Sequence, residues 1–278
     1  MYVIINVDDL GLHPAVQRAV DKGSDLNVIT SASILANGNY LNDIRLLSNK
    51  VGLGVHLNIL RGKSMLPAHD IPSLVNLKGQ FILKYSKLFQ RYMSKQLSLS
   101  EIEMEWSKQI EYLLGFGIKI THIDSEKHIH CWPGLMPVAQ QLAKYYNIKW
   151  VRRVRELNPW YQLDIGGIRS KLLTHWSKYY KTVDFPLFPD IVWGIADTGK
   201  NLLLKRFEKY IKDNLHYKII EIVCHPGISH KNDPPIPDEF GYLQVPYSWD
   251  TEFQLLTSQN WTDFFRDNNM HTVHYGMI

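Results

Sequence analysis

The chain has 278 residues, a formal net charge of +4 and 45% hydrophobic residues. That apolar fraction supports a substantial core and excludes an intrinsically disordered chain. The basic residues are scattered, with no tail or stripe, which argues against nucleic acid as a partner.

The pattern along the chain alternates strands with helices. Residues 2–7 form an apolar β-rich run that ends at Asp8 and Asp9, and a helix with Pro14 in its first turn follows Gly11. Residues 29–35 read as a second strand, 40–47 as a helix, and 51–57 as a third strand carrying His56 near its C-terminal end. Residues 61–83 hold Pro67, Pro72 and the turn signal Lys78-Gly79, and read as a long loop. A helix opens near Ser100, taken as its N-cap, with Ile102, Trp106, Ile110 and Leu113 on one face. An apolar lead-in, 118–121, enters a stretch from Thr121 to His130 that reads as the fourth strand. Helices are expected over 137–146, 168–180 and 202–214, and strands over 149–154 and 218–224. A second long loop, 228–247, precedes a last helix from Thr251 and a last strand over 271–275. This alternation indicates parallel βαβ units and one α/β domain over 1–278.

No apolar run approaches the roughly 18 residues of a membrane span. The first residues lack a basic n-region and a cleavage site, so a cytoplasmic protein is expected. Cys131 and Cys224 make no disulfide framework and read as free thiols.

Reactive side chains gather at the C-terminal ends of separate strands: Asp8-Asp9, His56, the stretch from His122 to His130, and His225. In a (β/α) barrel those ends meet on one face. Two adjacent carboxylates can divide labour, one ligating a metal and one staying free as a base, or they can simply form a turn. His56 sits among Gly52 and Gly54, which let the backbone pass close to another group. His122, Asp124, Glu126, His128 and His130 alternate, so a continuing strand would place all five on one side. Five is too many for one ion, and some must orient ligands from behind. His225 is followed by Pro226 and Gly227; it suits a general acid at a barrel mouth, or the three residues simply form a turn.

These motifs together resemble the YdjC-like carbohydrate deacetylases. The resemblance is carried by Asn6 to Leu12, Val28 to Ser33 with Asn37-Gly38, Gly52 to Leu57, Thr121 to Ser125 with His128 and His130, and Cys224 to Gly227. It implies a distorted (β/α) TIM-like barrel of seven to eight parallel strands, a divalent metal ion, and removal of an N-acetyl group from an amino sugar. By position, it implies Asp9 and His56 as ligands, Asp8 as base, and His225 as acid or oxyanion partner. The family's third ligand is usually the histidine directly after Asp-Ser, and here that position is Glu126. Glu126 can ligate instead, or His128 can replace it, or the metal can be lost. Two carboxylates favour Mg²⁺ or Mn²⁺ over Zn²⁺. His122, Asp124 and His130 are left as supporting or substrate-contacting residues. Trp132, Phe81, Phe240, Tyr242 and Trp249 are candidates to stack on sugar rings, and the loops 61–83 and 228–247 are expected over the active-site face. A sugar-binding relative without turnover and a metal-dependent phosphoester hydrolase are the alternatives. The sugar could be free, lipid-linked or nucleotide-linked, and a homodimer is compatible with the chain.

Overall fold

The structure is a computed structural model, described for residues 1–157, 162–180 and 184–278. Its elements are β1 (Tyr2–Leu10), α1 (Pro14–Asp25), β2 (Ser31–Ile34), α2 (Ile44–Leu47), β3 (Gly52–Leu57), α3 (Tyr85–Met93), α4 (Leu99–Gly115), β4 (His122–Ser125), α5 (Met136–Tyr145), β5 (Trp150–Val151), α6 (Ile165–Ser177), β6 (Ile191–Trp193), α7 (Leu204–Lys212), β7 (Ile219–Cys224), α8 (Trp249–Leu256), α9 (Gln259–Asp267) and β8 (His271–Thr272).

The parallel strands run in the order β5-β4-β3-β2-β1-β7-β6. This is the cyclic order of a seven-stranded barrel opened between β5 and β6. The opening is partly bridged by backbone bonds from Val151 N to Leu187 O, 3.0 Å, and from Val192 N to Arg155 O, 3.0 Å. The short β8 pairs with Tyr2 and Val3, before β2 joins β1 at Asn6. The architecture is therefore the distorted TIM-like barrel that the family resemblance implied, built from the parallel βαβ units that the alternation of elements indicated.

Local chemistry explains where the elements start and stop. All of β1 except Tyr2 is buried, as a strand covered on both faces requires. Pro14 opens α1, and the His13 ring caps it by accepting from Ala15 N at 3.1 Å. The N-cap of α4 is Ser98, not Ser100: its Oγ accepts from Glu101 N at 3.4 Å. Ser98 and Glu101 have the spacing of a capping box, which moves the helix start two residues upstream of the expected one. The expected helix over 40–47 shrinks to α2, because Asp43 takes a left-handed conformation, φ 60°, and breaks it. The elements α3 and β6 were not anticipated. Strand β6 has three residues, too few for a period to register.

Two backbone departures shape the site. Asp9 is left-handed, φ 64°, and the register of β1 against β2 shifts between Val7 and Leu10. This bulge breaks strand alternation, so Asp8 and Asp9 line the same cavity instead of opposite faces. The second departure corrects the expected fourth strand. It ends at Ser125, and Glu126–Cys131 form a 3₁₀ segment with Lys127 and His128 left-handed, φ 52° and 58°. The five alternating residues therefore do not share one side.

Candidate active site

The C-terminal ends of β1, β3, β4 and β7 open into a cavity of about 890 Å³. Asp8, Asp9, His56, Glu126, His128 and His225 all line it, whereas His122, Asp124 and His130 lie behind the wall.

The ligand-capable atoms of Asp9, His56 and Glu126 lie within 4.8 Å of one another. His56 Nε2 is 3.4 Å from Asp9 Oδ1 and 3.9 Å from Glu126 Oε2. His56 Nδ1 is 2.7 Å from Asp124 Oδ1. That contact turns Nε2 toward the two carboxylates, the arrangement by which a buried carboxylate orients a metal-binding imidazole. His128 is not part of this cluster. Its left-handed backbone carries it away, and its buried Nδ1 has no hydrogen-bond partner among the described residues.

Electrostatics point the same way. Burial and the neighbouring Glu126 carboxylate push the Asp9 carboxyl up to about 7. Burial works against charge on His56, but Asp124, Asp8 and Asp9 outweigh it and raise the ring to about 10. Two carboxylates and an imidazole crowded in this way repel or share protons until a cation relieves them. The donor set of two oxygens and one nitrogen fits a divalent ion.

The second cluster, Asp8, His56 and Asp124, already contains its cation. Arg152 is fully buried, and its Nη2 lies 2.7 Å from each of Asp8 Oδ1, Asp124 Oδ2 and Glu221 Oε1. Its Nη1 also donates to Asp8 Oδ2 at 2.8 Å. Asp8 is therefore not the free carboxylate that the sequence suggested. Burial opposes its ionisation, yet Arg152 and His56 hold its carboxyl far below the usual carboxylate range. Asn6 Nδ2 donates to Asp8 Oδ1 at 2.9 Å, and Ser33 Oγ donates to Asp124 Oδ2 at 2.6 Å, completing the network.

A family profile described as YdjC-like protein matches residues 2–267. The chain belongs to the YdjC-like family. Relatives named carbohydrate deacetylase include one from Oceanobacillus iheyensis, 33% identical and covering 93% of this chain and 96% of its own. Another, from Clostridium beijerinckii, is 25% identical and covers 99% of both chains. A solved structure from Enterococcus faecalis, described as a cellobiose-phosphate cleavage protein, shares the fold. Its TM-score is 0.73 at 23% identity, over 99% of this chain and 98% of that one.

In this YdjC-like chain, the remaining histidines of the central stretch serve packing. His122 lies between Ser33 Oγ, 3.0 Å from Nε2, and Thr121 Oγ1, 2.9 Å from Nδ1, and stacks on Tyr275. It is also the group that Gly54 of β3 admits: a Cβ there would come within 2.4 Å of its ring. His130 is 2.6 Å from Ser125 Oγ and 2.8 Å from Arg152 O. Burial lowers His122 to about 3 and His130 to about 4, so both are neutral supports. Of the aromatic candidates, Phe81, Trp132, Phe240 and Trp249 are buried in the core. Tyr242 is 75% exposed, and its ring neighbour Tyr247 lines the cavity. The loop 228–247 contributes Gln244, Val245 and Tyr247 to that wall.

The sequence reading missed Arg152, Glu221 and Glu252. A charge inside an apolar strand run, as in 149–154 and 218–224, was the available signal. Glu252 on α8 accepts from His225 N at 2.5 Å and Gly199 N at 2.5 Å, tying two cavity walls together. Glu252→Gln replaces one acceptor oxygen with a donor facing an amide N–H. It is expected to destabilise the fold by about 1–3 kcal/mol in urea titration. Burial raises the Glu252 carboxyl to about 7. Its contribution to stability therefore falls as pH rises from its ordinary value through about 7, and that slope should vanish in the glutamine variant.

Proposed function

We propose that this protein is a metal-dependent carbohydrate N-deacetylase that hydrolyses an acetamido group to an amine and acetate. The observation that carries the reading is the Asp9, His56 and Glu126 cluster, within 4.8 Å and on the cavity wall beside Asp8 and His225. The names of the relatives support the substrate class. A divalent ion held by Asp9, His56 and Glu126 would supply Lewis-acid polarisation of the acetyl carbonyl and of water.

The other roles follow from the chain itself. Asp8 takes the proton of the attacking water. Arg152 keeps Asp8 ionised, so the acceptor form is always present, and holds it in one orientation by two hydrogen bonds. The same pairing makes protonated Asp8 a strong acid, which then passes its proton to the departing amine as the C–N bond breaks. Burial lowers His225 to about 4, so its imidazole is neutral and offers one N–H. That N–H serves the tetrahedral oxyanion, and not as a stored acid. Tyr247 at the cavity wall offers an aromatic face to the sugar.

The test is acetate release from N-acetylated amino sugars with added Mg²⁺, Mn²⁺ or Zn²⁺, and its loss on chelation. Sugar binding without acetate release across a broad panel would overturn the reading. His225→Ala is expected to lower kcat by about 10²–10³-fold with KM nearly unchanged, as for loss of one oxyanion donor.

A further inference from the structure

Arg61 lies just beyond β3, and its side chain is 13% exposed. Its Nε donates to Glu126 Oε1 at 3.3 Å, on the oxygen opposite the one that faces His56. Its Nη1 donates to Phe240 O at 2.9 Å and Tyr242 O at 3.1 Å, on the loop that walls the cavity.

The backbone of Arg61 is held from several sides. Its carbonyl accepts from Asn37 Nδ2 at 2.9 Å and Asn58 Nδ2 at 2.8 Å. Its amide donates to Asn58 Oδ1 at 3.1 Å, and the next amide donates to Glu239 O at 2.8 Å. So much fixing of one loop residue gives its guanidinium a single direction. Burial alone would raise Glu126, but Lys127, Arg61 and His56 together hold its carboxyl below the usual range.

We infer that Arg61 is a positioning residue that withholds Oε1 of Glu126 from the metal. Glu126 then offers Oε2 alone, and part of its charge is offset. The inference rests on Asp9, His56 and Glu126 being the ligand set. A glutamate free to bind through both oxygens would hold a divalent ion more tightly but leave it a weaker Lewis acid. Arg61 thus trades affinity for reactivity, and couples that setting to the 240–242 wall.

The experiment measures Mn²⁺ binding by titration calorimetry on the full chain, together with acetate release. Arg61→Met is expected to tighten Mn²⁺ binding about tenfold while kcat falls about tenfold. Glu126→His leaves the guanidinium without its carboxylate beside the ion and should weaken binding. Adding Arg61→Met to it should restore at least part of that loss, because the repulsion goes with the charge. Unchanged or weaker Mn²⁺ binding in Arg61→Met overturns the inference. If that variant does not fold, a double variant that binds no better than Glu126→His overturns it instead. A native protein that binds no divalent ion overturns the ligand assignment itself, which separates the two failures.

Discussion

Replacing His56 by alanine is expected to reduce acetate release at least about 10³-fold, the equivalent of roughly 4 kcal/mol of transition-state stabilisation. His56 supplies the single nitrogen of the cluster, and its ring lies 3.4 Å from Asp9, 3.9 Å from Glu126 and 2.7 Å from Asp124. Without it, two carboxylates remain to hold an ion, and Asp124 loses its imidazole partner. Metal content after dialysis should fall along with kcat. Undiminished turnover at saturating Mg²⁺, Mn²⁺ or Zn²⁺ would remove His56 from the ligand set.

The second large effect is on stability. Arg152→Met should cost about 3–5 kcal/mol, because it leaves buried carboxylates without their cation. Asp8, Asp124 and Glu221 all lie 2.7 Å from Arg152 Nη2, and all three are buried. The pH dependence gives the loss a signature. Burial opposes charge on Asp8 and Asp124, but Arg152 and His56 outweigh it and depress both carboxyls. Their contribution is present above the unfolded-state value and is lost as pH falls through the folded one. Once Arg152 is gone, burial dominates, both carboxyls rise, and the slope reverses. Urea titrations should therefore show a larger deficit at about pH 8 than at about pH 5. A deficit independent of pH would mean that the loss is one of packing and not of charge.

This buried network also bears on Asp8 as a base. A carboxylate with both oxygens on a guanidinium is a weak proton acceptor in isolation. Arg152 is shared among three carboxylates, however, so its charge is spread, and Asp8 stays on the cavity wall. In the proposed mechanism, orientation and rapid return of the proton would offset the loss of basicity.

The sequence by itself determined the parallel βαβ alternation and the strand ends that carry Asp8, Asp9, His56 and His225. Those features are local: apolar runs of period two, broken by polar residues, mark where each strand stops. Among the described residues no helix is long and apolar enough to cross a membrane, in keeping with the apolar runs being short. The tertiary structure alone decided the rest. Whether Glu126 or His128 faces His56 depended on the left-handed pair Lys127 and His128, which alternation cannot foresee. Arg152 meets Asp8 across 144 positions and Glu221 across 69, so only the register of β1, β7 and the chain after β5 brings them together. Arg61 reaches Glu126 across 65 positions and Phe240 across 179. Strand ends are written in neighbouring residues, whereas ion pairs and ligand geometry are set by closure of the barrel, a long-range property that no local pattern encodes.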